Sequence, residues 1–214
     1  RKELKGRVLF GFDERLWKLA KIGNKPGGKL QKDFFPSVQI TEEITPLKVY
    51  SPGTGIWIID MGVNFTGTYK IKLSGSLGDT ISFRFGERVY DDGTLNPMTT
   101  VIGQIKKKGI GGPGAPDIAW QTDSYIIGNN PNAWFQPEFT YHVYRYIEIV
   151  GLKSKPGLSD IKGLAIHTNV TDNNSFTSSS ALLNSIQKAT ERTFLSNLVS
   201  VQSDCAAREK FGYG

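Results

Sequence analysis

The chain has 214 residues, 38% hydrophobic and 11% aromatic, enough apolar material for a large folded domain and too much for a disordered polymer. Its formal net charge of +6 has one dense basic cluster, Lys106 to Lys108, beside the glycine-rich stretch 109–114, which reads as a solvated loop rather than a nucleic-acid module. No apolar run approaches the roughly 18 residues of a membrane span, and the single Cys205 excludes an internal disulfide and a cysteine-based zinc site.

Residues 1–47 read as a lead-in or the tail of a preceding domain. A short basic and apolar mix at 15–22 is broken by Asn24, Pro26, Gly27 and Gly28. The chain begins at Arg1 with no charged-then-apolar leader after it, and the missing initiator methionine points to a piece of a longer protein.

Residues 48–172 read as an antiparallel β-sandwich, jelly-roll-like. An apolar strand at 55–60 ends in Asp60. At 68–74, Tyr69, Ile71 and Leu73 alternate with Thr68, Lys70 and Lys72, the period-two mark of a half-buried strand. At 80–86, Ile81, Phe83 and Phe85 repeat it, and the segment 74–79 supplies turn chemistry between the two. Further strands are expected at 124–127, 134–139, 144–150 and 164–167. Many short strands without an alternating helix argue for a sandwich, not a parallel sheet. Between Leu95 and Trp120 the strand signal disappears, leaving either a functional surface loop or a mobile insertion.

From about 173 the pattern changes. Ser178 to Ser180 offers an N-cap, and 181–199 reads as a helix free of Gly and Pro. Leu183, Ile186, Thr190, Thr193 and Asn197 form a stripe that Leu182, Ala189 and Phe194 widen. One helix cannot bury that stripe alone, so a helical domain is expected to start here and continue past Gly214. The last eleven residues then gather Asp204, Arg208, Glu209 and two glycines into a segment too polar for a core.

Elsewhere the plain readings prevail. Glu87, Asp91 and Asp92 could attract calcium, but Asp91, Asp92 and Gly93 also make a good turn. Asp60 reads as a strand-ending residue bonded to turn amides. His142 and His167 are too few for a histidine metal site, so no metal and no cofactor are expected. Trp57 and Trp134 read as core, and Trp120 as the better candidate for a contact between domains.

Three segments together resemble the bacterial α-L-rhamnosidases of glycoside hydrolase family seventy-eight. Ile59 to Gly67 (IDMGVNFTG) is similar to the strand that opens that family's β-sandwich domain. Phe139 to Ile149 (FTYHVYRYIEI), followed by Val150 and Gly151, is similar to a strand near that domain's end. Asp204 to Tyr213 (DCAAREKFGY) is similar to the family signature D-C-P-x-R-[ED]-x-x-G-W. The three lie in the family's order and spacing across residues 38–214. Ala206 replaces the usual proline and Tyr213 the usual tryptophan, and a tyrosine still offers an aromatic face to a sugar.

The resemblance implies a β-sandwich followed by the first helix of an (α/α)6 barrel, truncated here. It implies an inverting hydrolase that releases terminal α-L-rhamnose from plant or algal polysaccharides or glycosides. Glu209 occupies the general acid's position, Asp204 matches a sugar contact, and Arg208 and Tyr213 fall in the same signature. Partners implied are a rhamnose-containing carbohydrate and the rest of the barrel; periplasmic or secreted location is suggested by the family alone.

Glycosidic cleavage needs a proton delivered to the leaving oxygen, so the acid's pKa must lie near working pH. A negative Asp204 close to Glu209 raises that pKa, and Arg208 lowers it unless it is engaged by Asp204 or another acid. An inverting enzyme also needs a base about 6.5–9.5 Å from the acid. No acid follows Glu209, so the chain by itself is expected to be inactive. A second reading stays open, a non-catalytic carbohydrate-binding or interdomain sandwich module.

Overall fold

The structure, a computed structural model, describes residues 11, 13–15, 17–24, 27–101, 120–129, 132, 134–171, 174–208, 210 and 212. In chain order the elements are β1 (Val38–Ile44), β2 (Lys48–Gly53), β3 (Ile56–Lys72), β4 (Thr80–Gly86), β5 (Arg88–Val89) and β6 (Leu95–Asn96). They continue with β7 (Thr122–Ile126), β8 (Trp134–Phe135), β9 (His142–Val150), β10 (Ile161–Thr168), α1 (Ala181–Ser196), β11 (Leu198–Val199) and β12 (Val201–Gln202). Most of the 95–120 connection, with Lys106 to Lys108, lies outside the described residues.

The main sheet runs β1-β10-β3-β9-β4-β7, with β2 and β8 also paired to β3, and every pairing in it is antiparallel. Its organiser is β3, 17 residues long. The first part of β3 lies between β2 and β9, and its last part pairs with β10 and β8. A strand that changes partners along its length carries one sheet from one layer into the other, and the sheet curls over its own core. Tyr69, in the part of β3 paired with β10, meets Phe83 and Phe85 of β4 at 5.1 and 5.3 Å between ring centroids. Yet β9 separates β3 from β4 in the sheet order, so these rings meet across the interior.

The period-two faces hold. Ile81, Phe83 and Phe85 are fully buried, as are Tyr69, Ile71 and Leu73. The mainly-β reading therefore stands, with corrections of detail. The strands expected at 55–60 and 68–74 are one strand, because the chain stays extended through a bulge. Between Asp60↔Tyr146 and Phe65↔Tyr144, β3 advances from 60 to 65 while β9 goes only from 146 to 144. Gly62, at φ 78°, takes the left-handed conformation that this excess requires. Asp60 thus sits within a strand rather than at its end.

The strand expected at 134–139 shrinks to Trp134 and Phe135. Trp134 itself is 45% exposed beneath the Lys70 ammonium, so it is not core; Trp57 does pack on the core, donating its indole N–H to the Leu152 carbonyl. Strand β1 falls in the stretch read as a lead-in, but it pairs with β10 along its length. The acidic turn is a turn: Asp92 accepts from the Thr94 amide and hydroxyl, and Gly93 takes φ 82°.

Candidate functional site

The segment that carries the signature is placed by α1 and by the short β11–β12 hairpin after it. Ser180 caps the helix, accepting from the Leu183 amide at 3.4 Å. The helix ends at Ser196, three residues earlier than its apolar pattern suggests. Asn197 closes it, and Ser200 at φ 70° turns β11 back on β12, where β-branched Val199 and Val201 favour extended backbone. Two buried threonines of the sheet hold this corner. Thr66 donates its hydroxyl to the Ser196 carbonyl at 2.6 Å, and Thr168 accepts from the Ser200 amide at 2.8 Å.

Beyond β12 the chain closes a small loop. Ser203 and Gly212 form a bridge, and the Lys210 amide donates to the Cys205 carbonyl at 3.1 Å. Within the loop Asp204 is exposed, with one carboxylate oxygen accepting from the Cys205 amide at 2.7 Å. Arg208 is exposed on the turn at 206–208, and Ala207 is buried. The structure thus brings Asp204 and Arg208 into one loop; Glu209 and Tyr213 lie outside the described residues. Tyr141, Ala206 and Lys210 help line a cavity of about 30 Å³ behind the loop.

This loop leans on the sandwich through polar contacts. The Gln121 amide nitrogen donates to the Thr100 carbonyl at 2.9 Å and to the Ala207 carbonyl. Its amide oxygen faces His142 Nδ1 at 3.0 Å, and His142 Nε2 faces Asp123 Oδ2 at 3.0 Å. Tyr69 donates its hydroxyl to that same Asp123 oxygen at 3.3 Å. The His142 ring stacks on Phe85, 3.9 Å between centroids and 12° from parallel. Burial, reinforced by the Asp123 charge, pushes the Tyr69 phenol far above its ordinary pKa, so it stays a donor.

On the other side of position 209, the Lys210 ammonium lies 4.1 Å from the centre of the Tyr141 ring and donates to the Tyr141 carbonyl at 3.3 Å. Burial lowers its pKa.

Sequence reading missed these anchors. Tyr141 and His142 lie within the second family-like segment, but nothing in the sequence ties them to residue 207 or 210. Gln121 follows the stretch where strand signal is lost, and a lone glutamine carries no periodic mark.

A second polar link joins the first two family-like segments to each other. Arg145 of β9 donates Nε and Nη2 to the two oxygens of Asp60 at 2.8 and 3.0 Å, and the Gly62 amide adds a bond at 2.7 Å. Burial alone would raise the Asp60 pKa. The Arg145 and Gly62 hydrogen bonds and the nearby positive charge outweigh it and hold the carboxyl below its usual range. Asp60 therefore does bond a backbone amide, that of the bulge residue Gly62 rather than of a turn, and its partner of greater reach is Arg145.

A cleft of about 450 Å³ separates α1 from β1 and β10, with Glu42, His167, Lys188 and Arg192 among its walls. Arg192 reaches Glu42 across it at 3.3 Å. Among the described residues no group of three or more His, Cys, Asp or Glu could hold a metal, and no helix is long and apolar enough to cross a membrane.

Comparison with known proteins places the chain among rhamnosidase relatives. The family model of the bacterial alpha-L-rhamnosidase concanavalin-like domain matches residues 51–167. An alpha-L-rhamnosidase of Streptomyces avermitilis is 28% identical over 212 residues, 98% of this chain and 19% of that protein. One from Formosa agariphila is 28% identical over 204 residues, 94% of this chain and 20% of that protein. The chain therefore spans about a fifth of the length of these curated relatives. The solved alpha-L-rhamnosidase of Dictyoglumus thermophilum superposes with a TM-score of 0.82 at 37% identity, over 99% of this chain and 22% of that one. A Streptomyces avermitilis alpha-L-rhamnosidase solved with L-rhamnose superposes at 0.71 and 27% identity, over 84% of this chain and 16% of that one.

Proposed function

The chain belongs to the bacterial alpha-L-rhamnosidase concanavalin-like domain family, and from that premise we propose that it serves within a longer glycoside hydrolase that releases terminal α-L-rhamnose. In this reading residues 48–172 are the accessory sandwich, and residues from about 173 begin a helical catalytic barrel. Glu209 is the general acid, and Asp204, Arg208 and Tyr213 contact the sugar. The general base comes from a barrel segment outside this chain, so the chain alone does not turn over substrate. The substrates are rhamnose-bearing polysaccharides or glycosides of plants or algae.

The observation that supports this best is the loop at 203–212. It keeps Asp204 and Arg208 of the signature on a short, closed, polar turn that no core requirement explains. The reaction divides the labour simply. A carboxylic acid on that turn protonates the departing oxygen as the bond to the rhamnose anomeric carbon lengthens. The distant base takes a proton from water attacking the opposite face, and the configuration inverts.

The test is release of L-rhamnose from α-L-rhamnosides by the protein that carries this chain in full, with wild type compared to Glu209→Gln. Loss of roughly 10²–10⁴-fold in kcat on phenyl α-L-rhamnoside is expected, the usual worth of a positioned acid. Proton NMR of the first product should show the inverted anomer. Rhamnoside binding without any hydrolysis by the wild type would instead identify a non-catalytic binding module.

A further inference from the structure

The signature loop has little core of its own, since only Ala207 within 203–208 is buried. Two contacts tie it to the sandwich, one on each side of position 209, the first through loop backbone and the second through a loop side chain. Gln121 holds the Ala207 carbonyl, and Tyr141 holds the Lys210 ammonium through its carbonyl and ring face. Tyr141 and His142 are neighbours at the start of β9, so one strand end serves both contacts.

The hydrogen-bond partners show how firmly Gln121 is set. Its amide nitrogen faces two carbonyl oxygens, which only accept, so the amide cannot be flipped without placing oxygen against oxygen. Its oxygen must then receive a hydrogen from His142 Nδ1. The other ring nitrogen faces Asp123 Oδ2, which already accepts from Tyr69. The His142 ring thus has a hydrogen-bond partner at each nitrogen. Phe85 fixes the ring plane, and Gln121 and His142 are 7% and 8% exposed. The result is a donor with both its direction and its orientation locked.

We propose that the sandwich positions the general acid: Gln121, oriented by His142 and Asp123, and the Tyr141–Lys210 contact are positioning elements that hold the loop on both sides of residue 209, at the Ala207 carbonyl and at the Lys210 side chain. This rests on the reading of Glu209 as the acid. It assigns the sandwich a part in the rate as well as in the architecture, because proton transfer to a leaving group is sensitive to displacements of about 1 Å.

A positioned acid matters only when the leaving group needs a proton. The experiment therefore compares phenyl and 2,4-dinitrophenyl α-L-rhamnosides, the second departing without protonation. The enzymes are the full protein as wild type, Gln121→Met, Lys210→Met and Glu209→Gln. For Gln121→Met we expect kcat on the phenyl substrate to fall roughly 10–100-fold. On the dinitrophenyl substrate the fall should stay below about 3-fold, with KM for both nearly constant.

Lys210→Met should show the same split to a smaller degree, and it decides the matter if Gln121→Met does not fold. Equal losses on both substrates in both variants would mean that these contacts only support the fold, and the proposal would be overturned. Glu209→Gln separates the two ideas. If it shows the leaving-group split while the positioning variants do not, the acid stands and the positioning fails. If it leaves phenyl rhamnoside hydrolysis intact, the acid assignment itself is wrong.

Discussion

In the sheet, Tyr69, Phe83, Phe85 and Tyr144 are at most 1% exposed and stand within reach of one another's rings. On α1, Leu182, Leu183, Ile186 and Phe194 are between 48% and 68% exposed, and no residue of the helix is buried. The first region carries its own hydrophobic stabilisation. The second is fastened mainly by polar contacts, from Thr66 to Ser196, Ser200 to Thr168, Gln121 to Ala207, Lys210 to Tyr141 and Arg192 to Glu42. Asp204 and Arg208, the two residues proposed for sugar contact that lie among the described residues, fall in the weakly fastened region. That separation lets a rigid sheet supply position while the loop supplies functional groups, an arrangement common where polar sites sit on a packed scaffold.

The strongest test of this contrast is Phe85→Ala. It opens a cavity between Tyr69, Tyr144 and the His142 ring, and should lower the unfolding free energy by about 3–5 kcal/mol in chemical denaturation. A loss near 1 kcal/mol would mean that the sheet tolerates voids and is not the rigid half. Asp60→Ala comes next. It leaves Arg145 without its bidentate partner and frees the Gly62 amide, for an expected loss of about 1.5–3 kcal/mol.

The same pair makes a pH statement. Asp60 titrates lower in the folded than in the unfolded chain, so its stabilisation is complete above the unfolded value of about 3.9. It is lost as pH falls through the lower folded pKa. Wild type should therefore lose stability faster than Asp60→Ala as pH drops below about 4. Parallel curves would contradict the assigned pairing.

The sequence revealed this fold unevenly, for physical reasons. Strands with one buried face show it in their alternation, and Ile81, Phe83 and Phe85 are readable without coordinates. Strand β1 buries only Ile44 of its seven residues, so it leaves no such trace. The merging of two strands into β3 was hidden because Gly62 and Asn64 carry turn chemistry whether they break a strand or bulge it. In the candidate site, Asp204 and Arg208 were legible through a linear motif. Gln121, Tyr141 and His142 were not, since their role comes from a contact across 86 residues for Gln121 and across 69 for Tyr141.

Smaller effects sharpen the contrast on the other side. Thr66→Val keeps the buried shape but removes the hydroxyl that holds the Ser196 carbonyl. It should lower global stability by only about 1 kcal/mol. Amide exchange should nevertheless rise selectively at 197–203, where the chain leaves the helix, with the β3 and β9 amides unchanged. Uniform acceleration would show that the corner and the sheet open together.

The smallest effect expected in this chain belongs to Phe194→Ala. Half of its ring is already in water, so truncation should change stability by no more than about 0.5 kcal/mol. Its value lies in repeating it in the protein that carries the chain in full. If helices of a barrel cover the α1 stripe there, Phe194 becomes a core residue, and the same substitution should cost about 3–5 kcal/mol. An equally small effect in both settings would leave the stripe exposed in the longer protein as well, and the helix would then be a surface element rather than the first member of a catalytic barrel.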